Sequence, residues 1–188
     1  MSLFSTFNRL ISKTISPPSW RRQLPLVYIQ AEPKLSGIGC VAMVIASIRN
    51  QVLVAELAKK YQSKRRFYLD TVGWTHKGLV TVISEYGIES QVFNWKTTNW
   101  ILEQLHQRRY VIVSLEIPAL GNLAETDLYH PLDSTKPAVQ HLCLVYGYSD
   151  GNILLADPRD IGRYSLVEVP IPLFSQLFLG KGVVITTE

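Results

Sequence analysis

His141 opens an apolar run that ends at Tyr148, Asp157 follows the next apolar run (Ile153 to Ala156), and Ser149-Asp150-Gly151-Asn152 lies between them. Two strands joined by a tight hairpin bring their outer ends back to one edge of a sheet, which sets an imidazole beside a carboxylate. A histidine oriented by a carboxylate is a general base that lacks only a nucleophile. A helix start suits that nucleophile, because the positive end of the macrodipole and the first-turn N–H groups stabilise an anion. Ser36 stands at such a start, directly before the segment Gly37 to Arg49. Taken singly, each residue has an ordinary explanation. Ser is a common N-cap, a histidine in an apolar run is commonly a core residue, and Asp157-Pro158 is a usual turn start. The catalytic reading rests on order and spacing together.

The elements that must position these groups follow from hydrophobic period and turn chemistry. Gly37 to Arg49 carries Ile38, Cys40, Val41, Ala42, Met43, Val44, Ile45, Ala46 and Ile48, apolar on nearly every helical face. Such a helix belongs inside a domain. Leu53 to Tyr61, Leu79 to Tyr86 (closed by Gly87) and Thr98 to Gln107 are predicted as further helices. Leu26 to Ile29 is a strand or an extended lead-in, and Tyr110 to Leu115 is a buried type of strand. The segments His141 to Tyr148, Ile153 to Ala156, Arg163 to Val169 and Val183 to Thr186 are strands as well. Ile117 to Ala138 is a long loop, of the length that often carries function. Helices first and an antiparallel sheet second predict an α+β domain.

At 188 residues, with 47% hydrophobic and 18% charged positions, the chain fits one globular domain and excludes a disordered, collagen-like or coiled-coil chain. No apolar run approaches the roughly 18 residues of a membrane span. Arg9, Lys13, Arg21 and Arg22 carry the whole net charge of +4, and residues 25–188 are formally neutral, so no domain-wide basic field awaits nucleic acid. Residues 1–24 are expected to be a basic amphipathic N-terminal extension and 25–188 the domain. Within the extension, Leu3, Phe4, Phe7, Leu10 and Ile11 have helical spacing but no continuous signal-peptide core. Packing on its own domain or a frayed tail is the favoured expectation for residues 1–16. Weak contact with a membrane surface or a partner is the alternative. Cys40 and Cys143 are expected as buried free thiols in a reducing, cytoplasmic setting. His76, His106 and His130 share no metal-ligand spacing, so neither a metal nor another cofactor is expected. Trp74, Trp95 and Trp100 are expected in the core or in cleft walls, and Ser36 lacks the G-x-S-x-G elbow of an α/β-hydrolase.

The segment from Gln30 through Ser36-Gly37-Ile38-Gly39-Cys40-Val41-Ala42-Met43-Val44 resembles the peptidase C39 and C39-like group of papain-like cysteine peptidases. There a Gln lies six residues before a catalytic Cys-Gly that opens a helix. His141 to Tyr148, with Leu155-Ala156-Asp157-Pro158, resembles the group's HxxxVxGY…DP, and Arg108 to Val113 resembles a strand between them. The resemblance spans about residues 25–186. It implies a papain-like fold, with N-terminal helices and a buried central helix packed on a C-terminal antiparallel sheet. It also implies a peptide or protein substrate, commonly cut after small residues such as double glycine. Residue by residue it makes His141 the base, Asp157 its orienter, Gln30 the oxyanion donor and Ser36 the nucleophile position.

Ser36 is the departure, because the family uses a thiolate. A hydroxyl does not form the ground-state ion pair with histidine that a low-pKa thiol forms, so turnover is expected to be slow or nil. Cys40 lies one turn deeper and is no substitute. Two explanations of Ser36 stand: a deliberate Cys-to-Ser exchange that traps substrate, or natural decay into a binding domain. The survival of Gln30, His141 and Asp157 favours the first. The expectation is therefore a C39-like peptidase domain, with a peptide-binding pseudoprotease or a papain-fold acyl or amide transferase as alternatives.

Overall fold

The computed structural model describes residues 20–21, 35–49, 54–69, 73–118, 129, 131–132, 137–158 and 166–186. Gln30, the lead-in at Leu26 to Ile29, the helix proposed within residues 1–16 and most of the loop after Ile117 lie outside them.

Helix α1 (Ser36–Ile48) is buried from Ser36 through Ile45. The prediction from its all-round apolar character holds, and each of its large aliphatic side chains contributes on the order of 1.5–3 kcal/mol by leaving water. Helices α2 (Val54–Tyr61) and α3 (His76–Ser84) pack beside it. Helix α3 begins three residues before the predicted Leu79, because the Thr75 side chain accepts from Gly78 N and caps the turn. Gly87, with φ at 68°, takes the left-handed conformation expected after this helix. Helix α4 (Thr98–His106) is capped by Thr97 in the same way.

The main sheet is antiparallel in the order β4 (Ser90–Phe93), β9 (Phe178–Ile185), β5 (Tyr110–Pro118), β6 (Ala138–Ser149), β7 (Asn152–Ala156), β8 (Leu166–Pro170). The short β1 (Trp20–Arg21) pairs with Tyr148 and Gly147 at the end of β6. A separate two-stranded ribbon joins β2 (Tyr68–Leu69) and β3 (Gly73–Trp74). The hairpin from β6 to β7 turns on Asp150 (φ 50°) and Gly151 (φ 81°), two positive φ values in succession, as a two-residue hairpin with right-handed strand twist requires.

Strand alternation divides the core in two. Ile112, Leu144, Ala156, Val183 and Ile185 face α1, α2 and α3. Val111, Val113, Cys143, Val145, Leu155 and Val184 face α4 and α5 (Ile171–Leu177) on the other side. Covered on both faces, β5 is apolar without alternation from Tyr110 to Val113. Helix α5 and the first half of β9 were not predicted, since Pro170 and Pro172 resemble a loop. Proline is tolerated in the first turn of a helix, where its missing N–H costs no bond. Among the described residues no helix is long and apolar enough to cross a membrane.

Candidate active site

Register builds the site. Leu144 pairs with Ala156, so one step further along the hairpin Asp157 comes level with Cys143 and diagonal to His141 on the same face of the sheet. His141 Nε2 and Asp157 Oδ1 are 2.8 Å apart. His141 is 6% exposed and Asp157 is fully buried. With Nε2–H donating to the carboxylate, Nδ1 is the basic ring nitrogen, so the pair fixes one tautomer.

The first turn of α1 packs against this strand at Leu142. A Cβ added at Gly37 would stand 2.9 Å from Leu142 Cδ1 and 2.9 Å from Trp74 Cβ. Cys40 Sγ lies 3.5 Å from the Leu142 carbonyl oxygen. The helix therefore opens against the residue next to His141, and glycine at 37 permits the close approach. Ser36 is the first helical residue and is 8% exposed. This corrects the expectation of an N-cap: Leu35 occupies that position and supplies no side-chain cap, so the Ser36 hydroxyl is not spent on capping. No acidic residue occupies the first turn, and the positive end of the dipole is not offset there.

Cys40 and Cys143 are both buried and form no disulfide. Burial pushes the Cys40 thiol well above its ordinary range, and the neighbouring Cys143 and Asp157 push it further. A thiol held protonated in this way is a poor nucleophile.

His141, Cys143 and Asp157 each bring one donor atom within 4.8 Å of the others. Ligands on a tetrahedral zinc are about 3.3 Å apart, from Zn–N and Zn–O bonds near 2.0–2.2 Å. The 2.8 Å between Nε2 and Oδ1 is instead a hydrogen-bond length, and the pair fits a shared proton.

Two features escaped the sequence reading. Tyr129 Oη lies 2.7 Å from Asp157 Oδ2 and 3.2 Å from Cys143 Sγ. The length of the loop was the one available signal, and it pointed to no particular residue. His76 Nε2 is 2.9 Å from Ser114 Oγ, and Ser114 pairs with Leu142 across β5 and β6. Burial, then Lys181, lowers the His76 pKa. Trp74 is buried as expected, whereas Trp95 is 96% exposed at a turn residue with φ of 58°, which corrects its placement in the core or a cleft wall.

The Peptidase_C39 like family matches residues 22–168 of the chain. Three solved structures are similar in fold. A putative C39-like peptidase from Bacillus anthracis has a TM-score of 0.61 at 16% identity, over 89% of this chain and 98% of that one. The peptidase domain of Streptococcus ComA, a bifunctional ABC transporter of a quorum-sensing pathway, has 0.60 at 17% identity, over 86% and 97%. A double glycine motif protease from an AMS/PCAT transporter, solved with a leader peptide, has 0.57 at 15% identity, over 89% and 94%. No curated protein matches the sequence.

Proposed function

The chain belongs to the Peptidase_C39 like family, and from that premise we propose that it is a papain-like peptidase domain for a peptide or peptide-like amide, slow or silent in turnover because Ser36 holds the nucleophile position. The observation that carries the reading is the buried His141–Asp157 pair at 2.8 Å, on a strand whose next residue supports the opening turn of α1. In the reaction, His141 Nδ1 takes the proton of the residue 36 nucleophile as that atom attacks the carbonyl carbon. Asp157 stabilises the imidazolium that results. The oxyanion is received by the backbone N–H of residue 36 and, by family resemblance, the Gln30 amide. Nδ1–H then protonates the leaving amine, and water cleaves the acyl intermediate by the same route in reverse.

With serine at 36 the base must remove a proton from a hydroxyl, whereas a thiol would already share its proton with the imidazole. A peptide substrate is supported by the leader peptide held in one similar structure. The domain is read as acting in the cytoplasm, with the residues before β1 (Trp20–Arg21) as an extension outside the catalytic unit.

Ser36 favours a second reading, a peptide-binding pseudoprotease that uses the cleft without chemistry. One experiment separates the two. Ser36→Cys protein is treated with a thiol-reactive peptide probe, beside Ser36→Cys/His141→Ala. The peptidase reading expects labelling of residue 36 that falls by about 100-fold or more when the base is removed. Peptide binding with no labelling supports the pseudoprotease.

A further inference from the structure

The long connection after β5 returns Tyr129 to the far side of the Asp157 carboxylate. A phenol carries one proton, and a carboxylate is a stronger acceptor than a thiol. The Tyr129 O–H therefore donates to Asp157 Oδ2 over 2.7 Å, and the Cys143 S–H donates to the Tyr129 oxygen over 3.2 Å. The result is one directed chain: Cys143 to Tyr129, Tyr129 to Oδ2, and on the other carboxylate oxygen His141 Nε2–H to Oδ1. We propose that Tyr129 is a positioning residue for the His141–Asp157 pair, holding the carboxylate plane from behind and setting how basic His141 is.

The mechanism is electrostatic. A hydrogen bond to Oδ2 draws negative charge away from Oδ1, the oxygen that stabilises the imidazolium. In a fully buried carboxylate that redistribution is little screened by water. Among the described residues, Cys143 on β6 and Cys40 from α1 are further titratable groups close to the pair. Across the ladder on β5, His141 is opposite Leu115, which is apolar. Asp157 Oδ1 is in direct hydrogen-bond contact with the imidazole, and Tyr129 bonds the other carboxylate oxygen. The proposal rests on the peptidase reading for what the basicity of His141 is used for, but the hydrogen-bond chain does not involve residue 36.

The test follows the imidazole of His141 by NMR titration of the chain with Ser36 in place, with its signals assigned by their loss in His141→Ala. Tyr129→Phe is expected to raise the midpoint by about half a pH unit, since charge returns to Oδ1. A 3-fluorotyrosine installed at 129 is a stronger donor of unchanged shape, and it is expected to move the midpoint down. This second variant carries the test should Tyr129→Phe fail to fold. In Ser36→Cys protein, Tyr129→Phe is further expected to displace the pH dependence of labelling while leaving peptide affinity within about twofold. A midpoint that stays within about 0.2 pH unit in both Tyr129 proteins, or moves the same way in both, overturns the proposal. Neither titration needs catalysis. An unreactive Ser36→Cys protein with shifted titrations sinks the peptidase reading alone, and reactive protein with unshifted titrations sinks the role of Tyr129 alone.

Discussion

In the proposed mechanism Asp157 acts on chemistry only through His141, and its value depends on which proton it fixes. Asp157→Asn preserves shape but offers an amide that stabilises imidazolium poorly and permits the wrong tautomer. In Ser36→Cys protein this change is expected to slow probe labelling by about 10²- to 10⁴-fold, measured as the second-order rate constant; a loss below about threefold would contradict Asp157 as orienter. His76 gives a second prediction at this scale. Its folded pKa lies below the ordinary value because of burial and then Lys181. Below the unfolded pKa of about 6.5, the unfolded chain takes up a proton that the folded chain resists. Stability is therefore present above that pH and lost as pH falls through about 6.5 toward the folded value. His76→Gln, which keeps a neutral partner for Ser114, is expected to show a smaller drop in thermal midpoint between pH 7 and pH 5 than the parent. Equal drops would remove His76 as the cause. The hairpin pair His141 and Asp157 was legible in the sequence because turn residues and a period of two fix which ends meet. Tyr129 was not, since nothing local dictates where a long loop returns.

In the proposed mechanism the opening turn of α1 decides whether residue 36 can reach the base. Its seating against Leu142 and Trp74 depends on the missing side chain at Gly37, where an added Cβ would fall 2.9 Å from carbon atoms on both neighbours. Gly37→Ala is expected to cost about 1–3 kcal/mol by overpacking, partly offset by better helix propensity. It should also tilt the turn away from β6. Chemical denaturation checks the first effect, and in Ser36→Cys protein a fall in labelling larger than the loss of folded fraction checks the second. If labelling tracks folded fraction alone, the seating of this turn is not what places the nucleophile. The helix itself was plain in the sequence, because an all-round apolar face has only an interior in which to lie. Its first residue was misassigned: Ser36 looked like a cap and is instead inside the helix, with Leu35 before it. Propensity reports the residue type a cap prefers, while the backbone at that point is set by how the turn packs. The same reason explains α3, whose true start His76-Lys77-Gly78 has no apolar period and is held by Thr75.

In the whole molecule, one sheet supplies both cores. Val111 and Ile112, adjacent on β5, belong to opposite sides, as do Leu144 and Val145 on β6. Neither side can lose its helices without exposing a face of strands the other side needs. Unfolding is therefore expected to be a single cooperative transition. Tryptophan fluorescence, reporting Trp74 on the α1 side and Trp100 on the α4 side, should coincide with far-UV circular dichroism during denaturant titration. Two separated midpoints would show the halves to be independent. The sequence by itself determined the class of fold, the buried central helix, the order of strands around the Asp150-Gly151 turn and the pairing of His141 with Asp157. All of these follow from local period and turn chemistry acting over a few residues. Only the tertiary structure decided that Leu142 receives the start of α1, that a tyrosine from the loop after β5 closes on the second carboxylate oxygen, and that Ser114 meets His76. Such contacts join residues far apart in the chain, and their geometry depends on how whole elements pack, which no window of neighbouring residues encodes.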